Sequence, residues 1–243
     1  MERKCYSKKM LGTALPPAHE CRDFSLAVEY LAMKIAIIGT GNVGGAIARG
    51  LRKSPHTMVL GTRNVTDKAT RDLAADVGTE LASPAEAARS AELVVLALPW
   101  NVAEAAVKAL GDLSGKIVVD CMNPLGMSGG VLGLLLGHTT SGGEIVAGWL
   151  QGARVVKTLN QVGAEIMANN ANMPHRPVMF MAGDDAQAKA LVATVLTDLG
   201  FEPLDAGDIT KSRLLEPFGM VWINQALLRG KGRTWAFAAV DRK

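Results

Sequence analysis

No run of this chain reaches the roughly 18 consecutive apolar residues that a membrane-spanning helix needs, so a membrane is not expected among its partners. Residues 1–32 lack the apolar core of a secretion signal. The three cysteines, Cys5, Cys21 and Cys121, are widely spaced and form no C-x-x-C. That argues against a disulfide scaffold, and no cluster of metal-ligating residues suggests a metal site. A net charge of +3 is too small to point to nucleic acid, though it suits an anionic cofactor. There are no internal repeats and no low-complexity tracts. What remains is a chain of 243 residues, 49% hydrophobic and 20% charged, which fits one sizeable core with at most a small annex. The unpaired cysteine count, with the nucleotide-binding pattern below, favours a reducing, cytoplasmic setting.

One stretch organises the rest. Residues 34–38 are rich in β-branched side chains and read as a buried parallel strand. Gly39, Gly41 and Gly44 then fall on the spacing G-x-G-x-x-G, and Ala46, Ile47, Ala48 and Leu51 recur at helical intervals. Strand, glycine turn and helix in that order are the context that gives the motif meaning. The first glycine permits the tight turn, the second lets a pyrophosphate approach the backbone, and the third lets helix and strand pack closely. The helix start offers free N–H groups and the positive end of its dipole to the phosphates.

Downstream, apolar runs and amphipathic stretches alternate, which predicts a Rossmann-type, doubly wound, mostly parallel α/β sheet. Strands are expected at 57–61, 79–81, 93–98, 116–121, 154–159, 177–182 and 201–204. Ser83-Pro-Ala-Glu86 and Ser141-Gly-Gly-Glu144 read as capping boxes that open helices. Residues 126–143 hold seven glycines and are expected to form a long mobile loop or lid, with His138 as a surface residue in it. From Leu214 to Leu228 the chain is more apolar than one solvated face requires. That predicts a helix buried on several sides, started or kinked by Pro217, and a homodimer. Trp235 and Phe237 are expected to anchor a basic tail.

The candidate site gathers at the carboxyl ends of these strands, where open α/β sheets bind ligands. The second strand ends in Thr62, Arg63 and Asn64, with no carboxylate from Leu51 to Thr66. NAD sites usually carry an acid there. A guanidinium instead matches the extra phosphate of NADP through charge-assisted hydrogen bonds, so NADP is the expected cofactor. Leu98, Pro99 and Trp100 follow the next central strand and can line the cofactor, though Trp100 fits plain packing equally well. Asn123 offers an amide to the nicotinamide or to a substrate. Asn160 and Gln161 are candidate substrate residues. Cys121 reads as a core residue.

With these residues in place, the chain resembles the coenzyme F420-dependent NADP oxidoreductase family. The resemblance rests on Ile37-Ile-Gly-Thr-Gly-Asn-Val-Gly44, Gly61-Thr-Arg-Asn64, Leu98-Pro-Trp100, Gly143-Glu-Ile-Val146 and Val155-Val-Lys-Thr-Leu-Asn160. Later carriers are Ala182-Gly-Asp-Asp185, Leu204-Asp-Ala-Gly207 and Ser212-Arg-Leu-Leu-Glu216. It implies hydride exchange between NADP(H) and a second acceptor across a cleft, a small helical C-terminal region, and a dimer. It places Thr40, Asn42 and Val43 at the pyrophosphate turn, and Thr62 and Arg63 at the adenosine phosphate. In F420 reductases a histidine stands where this chain has Asn160, so flavin or a small carbonyl or imine stays open beside F420 as acceptor. The expected division is an extension over 1–32, an NADP domain over 33–160 and a substrate or dimerisation region over 161–243. No catalytic residue is singled out, because direct hydride transfer needs two groups held face to face and no covalent nucleophile. Two rival readings are a pyrroline-5-carboxylate reductase-like imine reductase, against which no Gly-Gly-Thr-Thr stretch is found, and a non-catalytic NADPH sensor.

Overall fold

A computed structural model describes residues 32–242. The expected extension, with the cysteines Cys5 and Cys21, lies outside the described residues except for the exposed Ala32.

The chain alternates strands and helices. β1 (Lys34–Ile38) leads through the glycine turn into α1 (Asn42–Leu51), β2 (Thr57–Gly61) into α2 (Lys68–Val77), and β3 (Glu80–Ala82) into α3 (Pro84–Ser90). Next come β4 (Leu93–Leu96), α4 (Trp100–Lys108), β5 (Ile117–Asp120), β6 (Leu125–Ser128), β7 (Val131–Leu134) and α5 (Gly142–Trp149). The last part holds β8 (Arg154–Lys157), α6 (Ala164–Ala168), β9 (Val178–Ala182), α7 (Ala186–Asp198), β10 (Glu202–Gly207) and α8 (Ser212–Ile223). Eight strands form one sheet in the order β10-β9-β8-β5-β4-β1-β2-β3. All its pairings are parallel except β8 with β9. This is the expected Rossmann-type, doubly wound sheet. Residues beyond Asn160 extend it by β9 and β10 as well as supplying the helical region.

Strand alternation explains the two layers. Ile35 and Ile37 pack with Ile47 of α1, Leu73 of α2 and Val192 of α7 on one face. Ala36 and Ile38 pack with Ala87 of α3, Ala103 of α4 and Val146 of α5 on the other. Both faces of β1 are therefore sealed, and its backbone must pair on both edges. The chain runs from β1 outward to β2 on one side and returns to β4 on the other, which opens a crevice at their carboxyl ends.

Three local features depart from expectation. The glycine-rich segment is not one long loop: β6 and β7 pair antiparallel from Leu125↔Leu134 to Ser128↔Val131. Gly129 and Gly130 join them with φ of 58° and 80°, the conformation a two-residue hairpin turn demands. His138 is an exposed residue beyond the hairpin, as expected. Pro217 does not start α8 but lies inside it, where the alternative of a kink would place it, because a 3-10 turn at Ile209–Lys211 starts the helix earlier. Ser141 caps α5, but the Glu144 carboxylate takes the Ser141 hydroxyl and Arg213 rather than the backbone N–H that would complete the box. The box at Ser83 and Glu86 has both of its arms.

α8 runs on into a π-helical turn, Asn224–Leu228. The tail folds back over it. Trp235 stacks on Trp222 at 5.8 Å, Phe237 meets Phe218 at 4.4 Å, and the Val178 N–H donates to the Phe237 carbonyl at 3.0 Å. Both expected anchors hold. Among the described residues no helix is long and apolar enough to cross a membrane.

Candidate functional site

The glycine turn is built from two crowded glycines and one open one. Gly39 has a φ of +102°, and a Cβ on it would sit 2.4 Å from the Ala97 carbonyl. A Cβ on Gly44 would sit 1.9 Å from the Gly39 carbonyl. Neither position admits a side chain. A Cβ on Gly41, by contrast, would meet nothing within 4 Å, so its missing side chain leaves room for a ligand and not for the protein. α1 has no side-chain cap and no acid in its first turn. Its leading N–H groups are therefore left to an anion.

A cleft of about 520 Å³ opens from this turn. Gly41, Asn42 and Val43 form one side, and Leu98, Pro99 and Trp100 after β4 continue it. Met122 and Asn123 after β5, and Asn160 after β8, form the floor. Trp222, Ile223 and Leu227 face them from α8 and its π turn.

The floor is an amide lattice. Asn123 Nδ2 donates to the Asn160 carbonyl at 2.8 Å, and Asn160 Nδ2 donates to Asn123 Oδ1 and to the Leu215 carbonyl, both at 3.0 Å. Asn160 Oδ1 accepts from Gln161 Nε2 at 2.9 Å. Gln161 is 2% exposed and spends its remaining capacity on the backbone of Phe180. It stands behind Asn160 and does not line the cleft, unlike what its place beside Asn160 in the sequence suggests. α8 reaches the lattice because Gly219 has no Cβ; one there would lie 2.6 Å from the Asn160 carbonyl. Leu159 turns the chain at this point with a φ of 58°, a region that non-glycine residues seldom enter and that clusters at functional sites.

Beneath the floor sits a charge cluster. Lys157 Nζ lies 3.0 Å from Asp120 Oδ2 and 3.0 Å from Glu216 Oε1, and it also donates to the Met122 carbonyl. The second Asp120 oxygen accepts from the Met122 N–H at 2.9 Å. Glu216 also accepts from the N–H groups of Gly142 and Gly143, each at 3.0 Å, where α5 begins. Burial works against the charge on Lys157, but the two carboxylates outweigh it and hold its pKa above the ordinary lysine value. One cation thus meets two anions, and the N-terminus of α5 helps to offset the excess. Burial pushes the Cys121 thiol far up, with Asp120 adding to it, so the thiol is protonated at neutral pH and no nucleophile.

Thr62, Arg63 and Asn64 stand apart from the cleft lining, on the turn after β2. The Asn64 N–H donates to Thr62 Oγ1 at 3.2 Å, and Asn64 Oδ1 accepts from the Thr66 N–H at 3.0 Å. Asn64 thus shapes the turn. Arg63 is exposed and makes no ion pair among the described residues. Thr40 Oγ1 is hydrogen-bonded to Thr70 Oγ1 at 3.2 Å, which ties the glycine turn to α2.

A family model described as NADP oxidoreductase, coenzyme F420-dependent, matches residues 34–124. A solved structure from Arthrobacter sp. FB24, a proposed F420-dependent NADP-reductase, is 36% identical with a TM-score of 0.77, over 86% of this chain and 100% of its own. This chain belongs to the F420-dependent NADP oxidoreductase family. It is accordingly an NADP-dependent oxidoreductase, and NADP is its cofactor. The F420-dependent NADP reductase of Methanothermobacter thermautotrophicus is 25% identical over 214 residues, 81% of this chain and 90% of that relative. Metalloreductase STEAP3 of Rattus norvegicus is 30% identical over 195 residues, but the chain spans only 38% of that relative's length.

This family member fits its cofactor on structural grounds: an open position at Gly41, uncapped N–H groups on α1, and a turn after β2 free of carboxylates. Sequence reasoning located Gly41, Asn42, Val43, Leu98, Pro99, Trp100, Asn123 and Asn160, and one cleft unites them. It missed the Lys157 cluster, Gly219 and the α8 wall. The one available signal was Lys157 itself, a lysine within an otherwise apolar strand ending.

Proposed function

We propose that this family member transfers a hydride between NADP(H) and a planar ring acceptor, F420 or a flavin, held in the cleft against α8. The observation that carries the reading is that the glycine turn and the apolar wall of Trp222 and Ile223 face one space. Bound NADPH supplies the hydride. Gly41 and the first turn of α1 hold the pyrophosphate, joined by Thr40, Asn42 and Val43. Arg63 takes the adenosine phosphate on a turn shaped by Thr62 and Asn64. Leu98, Pro99 and Trp100 shield the ribose–nicotinamide side from water. Asn123 offers the spare capacity of its amide to the nicotinamide or the acceptor, and Asn160 keeps that amide in place with Gln161 behind it. Residues 33–160 thus serve the cofactor, and 161–243 supply the far wall and a dimer face.

A ring acceptor is favoured over a carbonyl by one feature. No carboxylate, histidine, lysine or tyrosine lines the cleft among the described residues. A carbonyl needs a proton donor at its oxygen as the hydride arrives, whereas a reduced flavin or deazaflavin exchanges its proton with solvent. The imine-reducing reading survives only for substrates already protonated in solution.

An acceptor panel under NADPH tests this, with F420, FMN, FAD, ferric chelates, ketones and imines followed by NADPH absorbance. Turnover of a ring acceptor is expected. Turnover of ketones alone, or NADPH binding with no turnover, would replace the reading with a carbonyl reductase or a sensor. The homodimer rests on exposed Leu214, Val221, Leu227 and Leu228, each at least 49% exposed; light scattering that reports a monomer would remove it. A chain starting at Met33, without residues 1–32, is expected to bind NADPH as the full chain does, in a cytoplasmic setting.

A further inference from the structure

Arg233 carries the only formal charge among the described residues that line the cleft. It belongs to the tail beyond α8. The tail is fastened there at several points. The N–H groups of Lys231 and Gly232 donate to the carbonyls of Gln225 and Ala226 at 2.9 and 3.2 Å. Trp222 Nε1 donates to the Trp235 carbonyl at 2.9 Å beneath the stacked tryptophans. A Cβ on Gly163 would lie 2.9 Å from the Arg233 carbonyl, so the strap lies flat against the start of α6. Its tethering carbonyls come from the π turn, a helix irregularity often found where function requires one.

The guanidinium is aimed as well as placed. Arg233 Nε donates to Glu165 Oε1 at 2.7 Å, with the two side chains 38% and 44% exposed. That bond uses one edge of the fork. The terminal nitrogens make no hydrogen bond among the described residues. A planar fork with a free edge is the geometry that binds carboxylate or phosphate in two parallel bonds. The neighbouring wall of Trp222, Ile223 and Leu227 is apolar. A ligand matching both would pair a flat apolar body with an oxoanion at one end.

We propose that Arg233 is the residue by which this enzyme selects acceptors carrying an oxoanion, a phosphate or a carboxylate, beside the reducible ring. Glu165 positions the guanidinium. This rests on the hydride-transfer reading above, and the test separates the two. It compares rings with and without the anion: FMN against riboflavin for phosphate, and riboflavin acylated with succinate against its methyl ester for carboxylate. Binding to the full chain is read from flavin fluorescence, and NADPH binding from its own fluorescence. The wild-type protein is expected to hold at least one anionic partner about tenfold tighter than its neutral twin. Arg233→Met, which keeps the apolar stem, is expected to erase that ratio, and Arg233→Lys to keep part of it. NADPH affinity and melting temperature are expected to stay as in the wild type. Equal binding of twins by the wild-type protein, including no binding by either, overturns the proposal. So does a ratio that survives Arg233→Met, or a loss that falls on NADPH, which would assign Arg233 to the cofactor. The panel with NADPH can succeed in all of these cases, so failure of the selector leaves hydride transfer standing.

Discussion

Lys157 Nζ and Glu216 Oε1 lie 3.0 Å apart, and both side chains are sealed from solvent. The contact joins the end of β8 to α8, the helix that walls the cleft. Removing the cation while both carboxylates remain is the costly way to break such a cluster. Lys157→Met is expected to lose about 3–5 kcal/mol of stability at neutral pH. Urea unfolding of both proteins at neutral pH reads the loss. A neutral-pH loss below about 1 kcal/mol would mean that the pair does not hold α8.

The local part of this architecture was legible in the sequence, and the long-range part was not. The strand at Lys34–Ile38, the glycine turn and the box at Ser83 and Glu86 depend on neighbours a few residues away. The Lys157 cluster joins partners 37 residues apart on one side and farther still on the other, and no local period records it. The hairpin was legible in principle. Gly129-Gly130 between two short apolar runs is a turn signal, but the abundance of glycine around it suggests freedom where these two instead shape a tight turn. Gln161 was misplaced for a different reason. Adjacent residues after a strand need not face the same space, and the positive φ at Leu159 decides which does.

Gly41 is the position at which folding and the proposed cofactor binding should separate. Its φ of −75° and ψ of −161° suit alanine, and its Cβ direction is empty. Gly41→Ala is expected to leave the melting temperature unchanged or to raise it slightly, by about 0.4–1 kcal/mol of stability. NADPH binding should nonetheless fall by tenfold or more on the order-of-magnitude scale of a lost close approach. Gly44→Ala should instead unfold the turn. An alanine at position 41 that binds NADPH normally would move the pyrophosphate elsewhere.

Arg63 is the residue proposed to take the adenosine phosphate, and so to set cofactor choice. A well-placed charge-assisted bond contributes roughly 1.5–3 kcal/mol, and exposure reduces this to about 2 kcal/mol, or on the order of thirtyfold in affinity. Arg63→Ala should weaken NADPH by that factor and leave NADH nearly unchanged. The wild-type preference should narrow as salt rises. Titration of both cofactors into both proteins gives the double difference, and equal losses would remove the assignment.

Glu144 makes part of the fold acid-sensitive. The paired bonds from Arg213, at 2.8 and 2.5 Å, hold its carboxyl below the ordinary value of 4.5. Because the folded pKa is the lower one, this contribution is present above pH 4.5 and is lost as pH falls through the folded value. Glu144→Gln is expected to cost about 1 kcal/mol at neutral pH and nothing in strong acid. Thermal melts across that range check it. A penalty that stays constant with pH would mean packing, not charge, holds α5 to α8.

Asp120 and Lys157 are more than an ion pair: they face each other in register, as the last pairing of β5 with β8. Everything between them, the hairpin and α5 included, leaves the sheet at one strand and returns at its neighbour. The salt bridge is the clasp of that excursion. Closing a longer excursion costs only about 0.6 kcal/mol for each doubling of its length. The segment at the hairpin tip, where Met127 is 65% exposed and Val131 63%, is therefore open to insertion without disturbing the register beneath it. The hairpin can be lengthened or shortened at its tip while Leu125, at its base, keeps its place in the cleft lining.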